Sequence, residues 1–157
     1  MQSETESPES QLAGFLARFS PEIETKATAI LARMRQQLPG ATQLVYDNYN
    51  ALAIGFGPSV RSSEAIFSIA VYPRWVSLFF LNGTRLEDPD RILKGTGNKV
   101  RHIVLTQPCD LEKPAVIDLM RRAMNAASVP IDPAAGGPLI IRSVAARQRP
   151  RRPAGKT

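Results

Sequence analysis

The stretch Phe67-Ser68-Ile69-Ala70-Val71-Tyr72-Pro73-Arg74-Trp75-Val76-Ser77-Leu78-Phe79-Phe80-Leu81 decides the fold. Phe67, Ile69 and Val71 alternate with smaller residues, the two-residue period of a strand that buries one face. Tyr72-Pro73-Arg74-Trp75 interrupts that period, and its proline argues against one long central strand. Trp75 to Leu81 then resumes with bulky β-formers. Two neighbouring strands joined by a tight connection are predicted. Upstream, Leu44 and Tyr46, then Leu52, Ile54 and Phe56, alternate in the same way. Downstream, Lys99 to Leu105 reads as a fifth strand. Eight of the ten aromatic residues fall between Tyr46 and Phe80, so the sheet supplies most of the core.

Helical spacing lies on either side. Leu12, Phe15, Leu16 and Phe19 share one helical face, opened by Ser7-Pro8 or Ser10. Ser20-Pro21 gives an N-cap and a first-turn proline, with Glu22 and Glu24 favoured by the helix dipole. Ile23, Ala27, Ile30, Leu31, Met34 and Leu38 form one stripe, so a helix is predicted over 21–38, ended by Pro39-Gly40. Asp88-Pro89 predicts a short helix through Lys94. A closing helix over 114–127 carries Val116, Met120, Ala123 and Ala127 on one face. Leu139 to Val144 reads as an edge strand or an ordered arm, and the chain after Ala145 as disordered. Strands consecutive between helices predict an α+β fold, a single antiparallel sheet of about five strands with helices packed on one face. The expected organisation is a flexible acidic start over 1–10, a domain over 11–129, and a Pro/Gly-rich arm with a basic tail over 130–157.

Composition narrows the function classes. The 157 residues suit one domain, and a single cysteine, Cys109, excludes an intramolecular disulfide. The longest apolar stretch, Trp75 to Leu81, is far too short for a membrane helix. No secretory or transit pattern opens the chain, so a cytoplasmic protein without a membrane partner is expected. The net charge of +6 is carried by the tail: Arg142, Arg147, Arg149, Arg151, Arg152 and Lys156 face no acid there. Without them, fourteen bases balance fourteen acids. Any electrostatic drive toward phosphate therefore resides in the tail.

Three segments carry a resemblance. Val45 to Gly57, with its Tyr46-Asp47-Asn48-Tyr49-Asn50 run, resembles the first strand pair of the YdhG-like bacterial domain family. Tyr72 to Phe80 is similar to that family's central strand. Leu93-Lys94-Gly95-Thr96-Gly97-Asn98-Lys99-Val100-Arg101-His102-Ile103 resembles its glycine-basic signature. The match covers about residues 20–125. It implies an α+β fold similar in outline to frataxin and, for some members, an iron-chaperone role. It implies no catalytic residue.

Chemistry read from the residues is sparse. His102 and Cys109 are the one imidazole and the one thiol. No third, orienting group is identifiable for them, and neighbouring Asp110 opposes a thiolate. Glu87, Asp88 and Asp90 offer hard oxygen ligands for iron, the metal alternative. Against that, Asp88 reads as a helix cap, with Glu87 and Asp90 favouring the dipole. Lys94, Gly95, Gly97, Lys99, Arg101 and His102 suggest an anion nest, although the spacing matches neither a Walker loop nor a dinucleotide fingerprint. The competing reading is a helix C-cap and a solvated basic strand. Tyr72 and Arg74 beside Trp75 form a second contact surface, with Trp75 itself read as core.

Arg147, Arg149, Arg151 and Arg152 interleave with prolines and lack aromatics, leaving only phosphate attraction for nucleic acid. Truncation after Ala145 is expected to spare folding. The function read from sequence is a non-enzymatic domain without cofactor. It binds a small ligand, anionic ones included, or a protein partner in a cleft at one end of the sheet. The alternatives are an iron chaperone and a weak nucleic-acid accessory acting through the tail.

Overall fold

The structure, a computed structural model, describes residues 6–153. Helix α1 (Pro8–Ala17) starts where the Ser7 hydroxyl accepts the Ser10 N–H. Helix α2 (Pro21–Gln37) starts where the Ser20 hydroxyl accepts the Ile23 N–H. In both, proline fills the first turn, where its missing donor costs nothing. Pro8, Glu9 and Ser10 thus sit in a helix instead of the flexible start expected over 1–10, whose first five residues lie outside the described residues.

Four strands follow: β1 (Thr42–Asp47), β2 (Leu52–Gly57), β3 (Phe67–Val71) and β4 (Val76–Phe80), each antiparallel to the next. Strand β5 (Arg101–Leu105) pairs antiparallel with β4. Helix α3 (Pro114–Ala126) and strand β6 (Leu139–Val144) complete the order. Across the sheet the strands run β5-β4-β3-β2-β1-β6.

Register explains the core. Val45, Ile54, Ile69, Leu78 and Ile103 form one row across five strands, all buried. Phe56, Phe67 and Phe80 form the next, with the last two rings edge to face at 5.6 Å. The stripe of α2 and the inner residues Val116, Leu119 and Met120 of α3 join this same cluster. Each fully buried side chain of this size contributes about 1.5–3 kcal/mol. The core that holds the three helices draws on one face of the sheet.

Three further expectations are corrected. The sheet has six strands and is mixed, because β6 runs parallel to β1 at its edge. A parallel neighbour needs a long crossover, and here α3 and residues 127–138 carry the chain across from β5 at the far edge. Gly40 and Gly137 fix its landing. Both have positive φ, and a Cβ on Gly137 would stand 2.7 Å from the Ala41 carbonyl oxygen.

The short helix expected from Asp88 to Lys94 is not formed. Asp88 accepts N–H groups from Ile92 and Leu93 at 3.1 and 2.9 Å, closing a turn. Lys94 then pairs with His102 as an isolated bridge. So short a segment gains too few helical bonds to offset nucleation, and its apolar pair Ile92 and Leu93 packs on the core instead.

The segment after Ala145 is not loose through Pro153. Ala145 donates its N–H to the Asp47 carbonyl at 2.8 Å, and Arg149 donates its N–H to that of Tyr49 at 2.9 Å. Lys156 lies outside the described residues.

Candidate functional site on the uncovered sheet face

The opposite face of the sheet carries two rows of different character. One is Tyr46, Ala53, Ala70, Ser77 and Val104; the other is Leu44, Gly55, Ser68, Phe79 and His102, of which Leu44 and Gly55 are buried, with Ala65 of the β2–β3 connection over Gly55. Small side chains occupy the middle strands because the alternation that buries Ile54 and Ile69 turns Ala53, Ser68 and Ala70 outward. They form the floor of a hollow of about 540 Å³. Tyr49, Tyr72 and Phe79 stand around it, with Asn48 and Asn50 at the end formed by the β1–β2 turn. No residue of a helix lines it.

The aromatic walls are braced. Tyr72 stacks on Trp75 with ring centroids 4.6 Å apart and planes at 20°. The turn beneath is closed by the Tyr72 N–H donating to the Trp75 carbonyl at 2.9 Å. Burial lifts the Tyr72 hydroxyl above the ordinary phenol range, so it stays neutral at physiological pH. Trp75, read from sequence as core, is 41% exposed. Its parity places it on the uncovered face, where it shields Tyr72 instead of filling the interior. Phe79 lies 5.2 Å from the His102 ring.

The glycine-basic signature is divided by the sheet. His102 and its bridge partner Lys94 share the uncovered side, since antiparallel partners face the same way. Arg101 points to the other face, packed against Gly83. Its guanidinium donates to the Gly97 carbonyl and, at 2.9 Å, to that of Val100. The loop around Gly95 and Gly97 is thus closed by its own arginine, and Lys99 stands exposed beside it. Tyr72 and exposed Arg74 lie at the other end of β4, about 13 Å away by strand rise. Tyr72, Arg74, Lys99 and Arg101 therefore do not converge on one site. Tyr72, Lys94 and His102 do share one face.

The acidic trio is dispersed in role. Glu87 pairs with Arg122 of α3 at 2.9 Å, Asp88 closes its turn, and Asp90 is exposed. Among the described residues no three His, Cys, Asp or Glu side chains gather into a metal-holding group. Cys109 is exposed in the 3-10 turn Pro108–Glu112, beyond the end of β5 opposite to His102.

The tail contributes what sequence reasoning missed. Arg151 is buried, its Nη2 donating to Asp47 Oδ1 at 2.8 Å and to the Asn48 carbonyl. Arg18 approaches the other Asp47 oxygen at 3.6 Å. Arg151 also lies over the Phe19 ring at 5.7 Å. Arg152 donates to the Arg18 carbonyl at 3.2 Å. Arg147 and Arg149 are exposed. The one signal in the sequence was Asp47 itself, an acid inside an otherwise apolar alternation and in need of a partner.

A smaller cleft of about 100 Å³ lies between the end of α3 and the β3–β4 end of the sheet, floored by Ile66, Phe80 and Ala123. Among the described residues no helix is long and apolar enough to cross a membrane. No protein-family model, curated protein or solved structure matches the chain.

Proposed function

We propose that this chain is a non-catalytic binding domain, similar to the YdhG-like group, whose uncovered sheet face seats a small flat ligand. The observation that carries this reading is the lining of the hollow, which is uncharged throughout and walled by aromatic side chains. Rings prefer offset or edge contacts with other rings, and a floor of alanine and serine lets a ring approach the sheet closely. The seated part of the ligand is then an uncharged ring, held at its edge by Asn48, Asn50 and the Tyr72 hydroxyl. An anionic substituent would extend toward Lys94 and His102 on the same side.

Indole is the probe of choice, being flat and neutral. Titrated into labelled protein at millimolar concentration, it should shift the Ala53 and Ala70 methyl and the Tyr72 and Phe79 ring resonances. Ser68→Phe, which fills the floor, should remove those shifts while leaving the protein folded. Silence at the hollow, or shifts confined to Phe80 and Ala123 at the second cleft, would sink the reading.

A further inference from the structure

We infer that the docked C-terminal segment and the β1–β2 turn together form an interface for single-stranded nucleic acid. The tail's arginines have no aromatic neighbour in sequence, but the fold supplies one. Tyr49, at the tip of the turn, is 49% exposed. The Arg149 guanidinium lies 5.9 Å from its ring centroid, and the Arg149 N–H donates to the Tyr49 carbonyl at 2.9 Å. Ring and cation are therefore held in one place. Arg152 is anchored at the end of α1 through the Arg18 carbonyl, and Arg147 precedes Gln148, which itself donates to the Asp47 carbonyl at 2.9 Å.

Charge accounting favours phosphate. Among the described residues Arg147, Arg149 and Arg152 enter no ion pair. Asp47 is buried and already shared by Arg151 and Arg18. The result is an arginine fixed on an exposed ring, with unneutralised Arg147 and Arg152 close by along the same docked segment and the exposed amides of Asn48 and Asn50 beside the ring. Backbone phosphates follow such cations while bases stack on the ring. A duplex hides its base faces, and free phosphate leaves Tyr49 unused, so the single strand is the partner that fits both features. The two readings share the rim of Tyr49, Asn48 and Asn50, but the arginines lie outside the hollow, and the floor residue Ser68 lies outside this interface.

The test is fluorescence anisotropy with labelled oligothymidylate of about 12 nucleotides, within the usual site size. Three phosphate contacts predict a slope of roughly −2 for log affinity against log salt, at about −0.7 per contact on single strands. Tyr49→Ala should weaken binding at least about 5-fold, the lower end of one base stack, and Tyr49→Phe should retain it. Arg147→Gln and Arg149→Gln should each flatten the slope. These side chains are exposed, so an unchanged thermal midpoint checks folding. Ser68→Phe should leave oligonucleotide binding intact, which separates this surface from the hollow. The inference is overturned by no salt-dependent binding at low ionic strength or by affinity indifferent to Tyr49→Ala. It is equally overturned if duplex or thymidine monophosphate binds as tightly as the oligomer.

Discussion

Asp47 and Arg151 are each 1% exposed at the side chain, so neither charge has water to fall back on. An isolated buried charge is costly, and removing one partner of such a pair typically destabilises by about 3–5 kcal/mol. Arg151→Met should therefore lose stability in that range by urea denaturation. Asp47→Leu combined with Arg151→Met should recover part of the loss, because it removes the stranded charge. A double mutant no better than the single would show that the backbone bonds to Asn48 and Tyr49 dominate. Asp110 behaves differently. Burial pushes its carboxyl up, but N–H groups of Thr106 and Gln107 and the Lys113 ammonium outweigh that and hold it below the usual carboxylate range. A depressed native value stabilises the fold above the unfolded value of about 3.9, and that contribution disappears as pH falls through the native one. Asp110→Asn should narrow toward wild-type stability as pH drops below about 4. A stability difference unchanged between neutral and acid pH would contradict this.

At the scale of elements, β1 to β5 and all three α-helices were legible, because period and caps act locally. Ser20-Pro21 and the Ile23 to Met34 stripe specify α2 without reference to anything distant. The direction of β6 was not legible. Leu139-Ile140-Ile141 has no turn chemistry that fixes parallel or antiparallel pairing; that depends on where the crossover after α3 lands. Gly137 is part of that landing, with φ of 54° and no room for a Cβ. Gly137→Ala should cost about 1–3 kcal/mol through strain. It should also speed amide exchange at Gln43, whose N–H donates to the Pro138 carbonyl. Exchange at the β3–β4 ladder should stay slow, and equal acceleration there would mean global rather than edge loosening.

Across the whole molecule, the candidate sites divide by the range of the interactions that build them. Tyr72 was singled out as an aromatic beside a tight connection and His102 as a member of the glycine-basic run; strand parity puts both on the uncovered face. The failure of Arg101 to join them follows from the same parity, one residue out of step with His102 and on the other face. The docking of the tail was invisible, since a Pro- and Arg-rich end has the composition of disorder and its partner Asp47 lies 104 residues earlier. That contact reverses the expectation for truncation after Ala145. The cut removes Arg151 and leaves Asp47 buried with only Arg18 near, at 3.6 Å. A loss of about 3–5 kcal/mol in a chain of this size lowers the thermal midpoint by roughly 10 °C, at about 2–4 °C per kcal/mol. Adding Asp47→Asn to the truncated chain should restore several degrees, because it removes the unpaired charge while keeping the shape. The same Asp47→Asn change in the full-length chain should lower the midpoint by stranding Arg151. Opposite signs in the two backgrounds are what a buried pair between sheet and tail requires; a tail that merely trails in solvent would give the same sign in both.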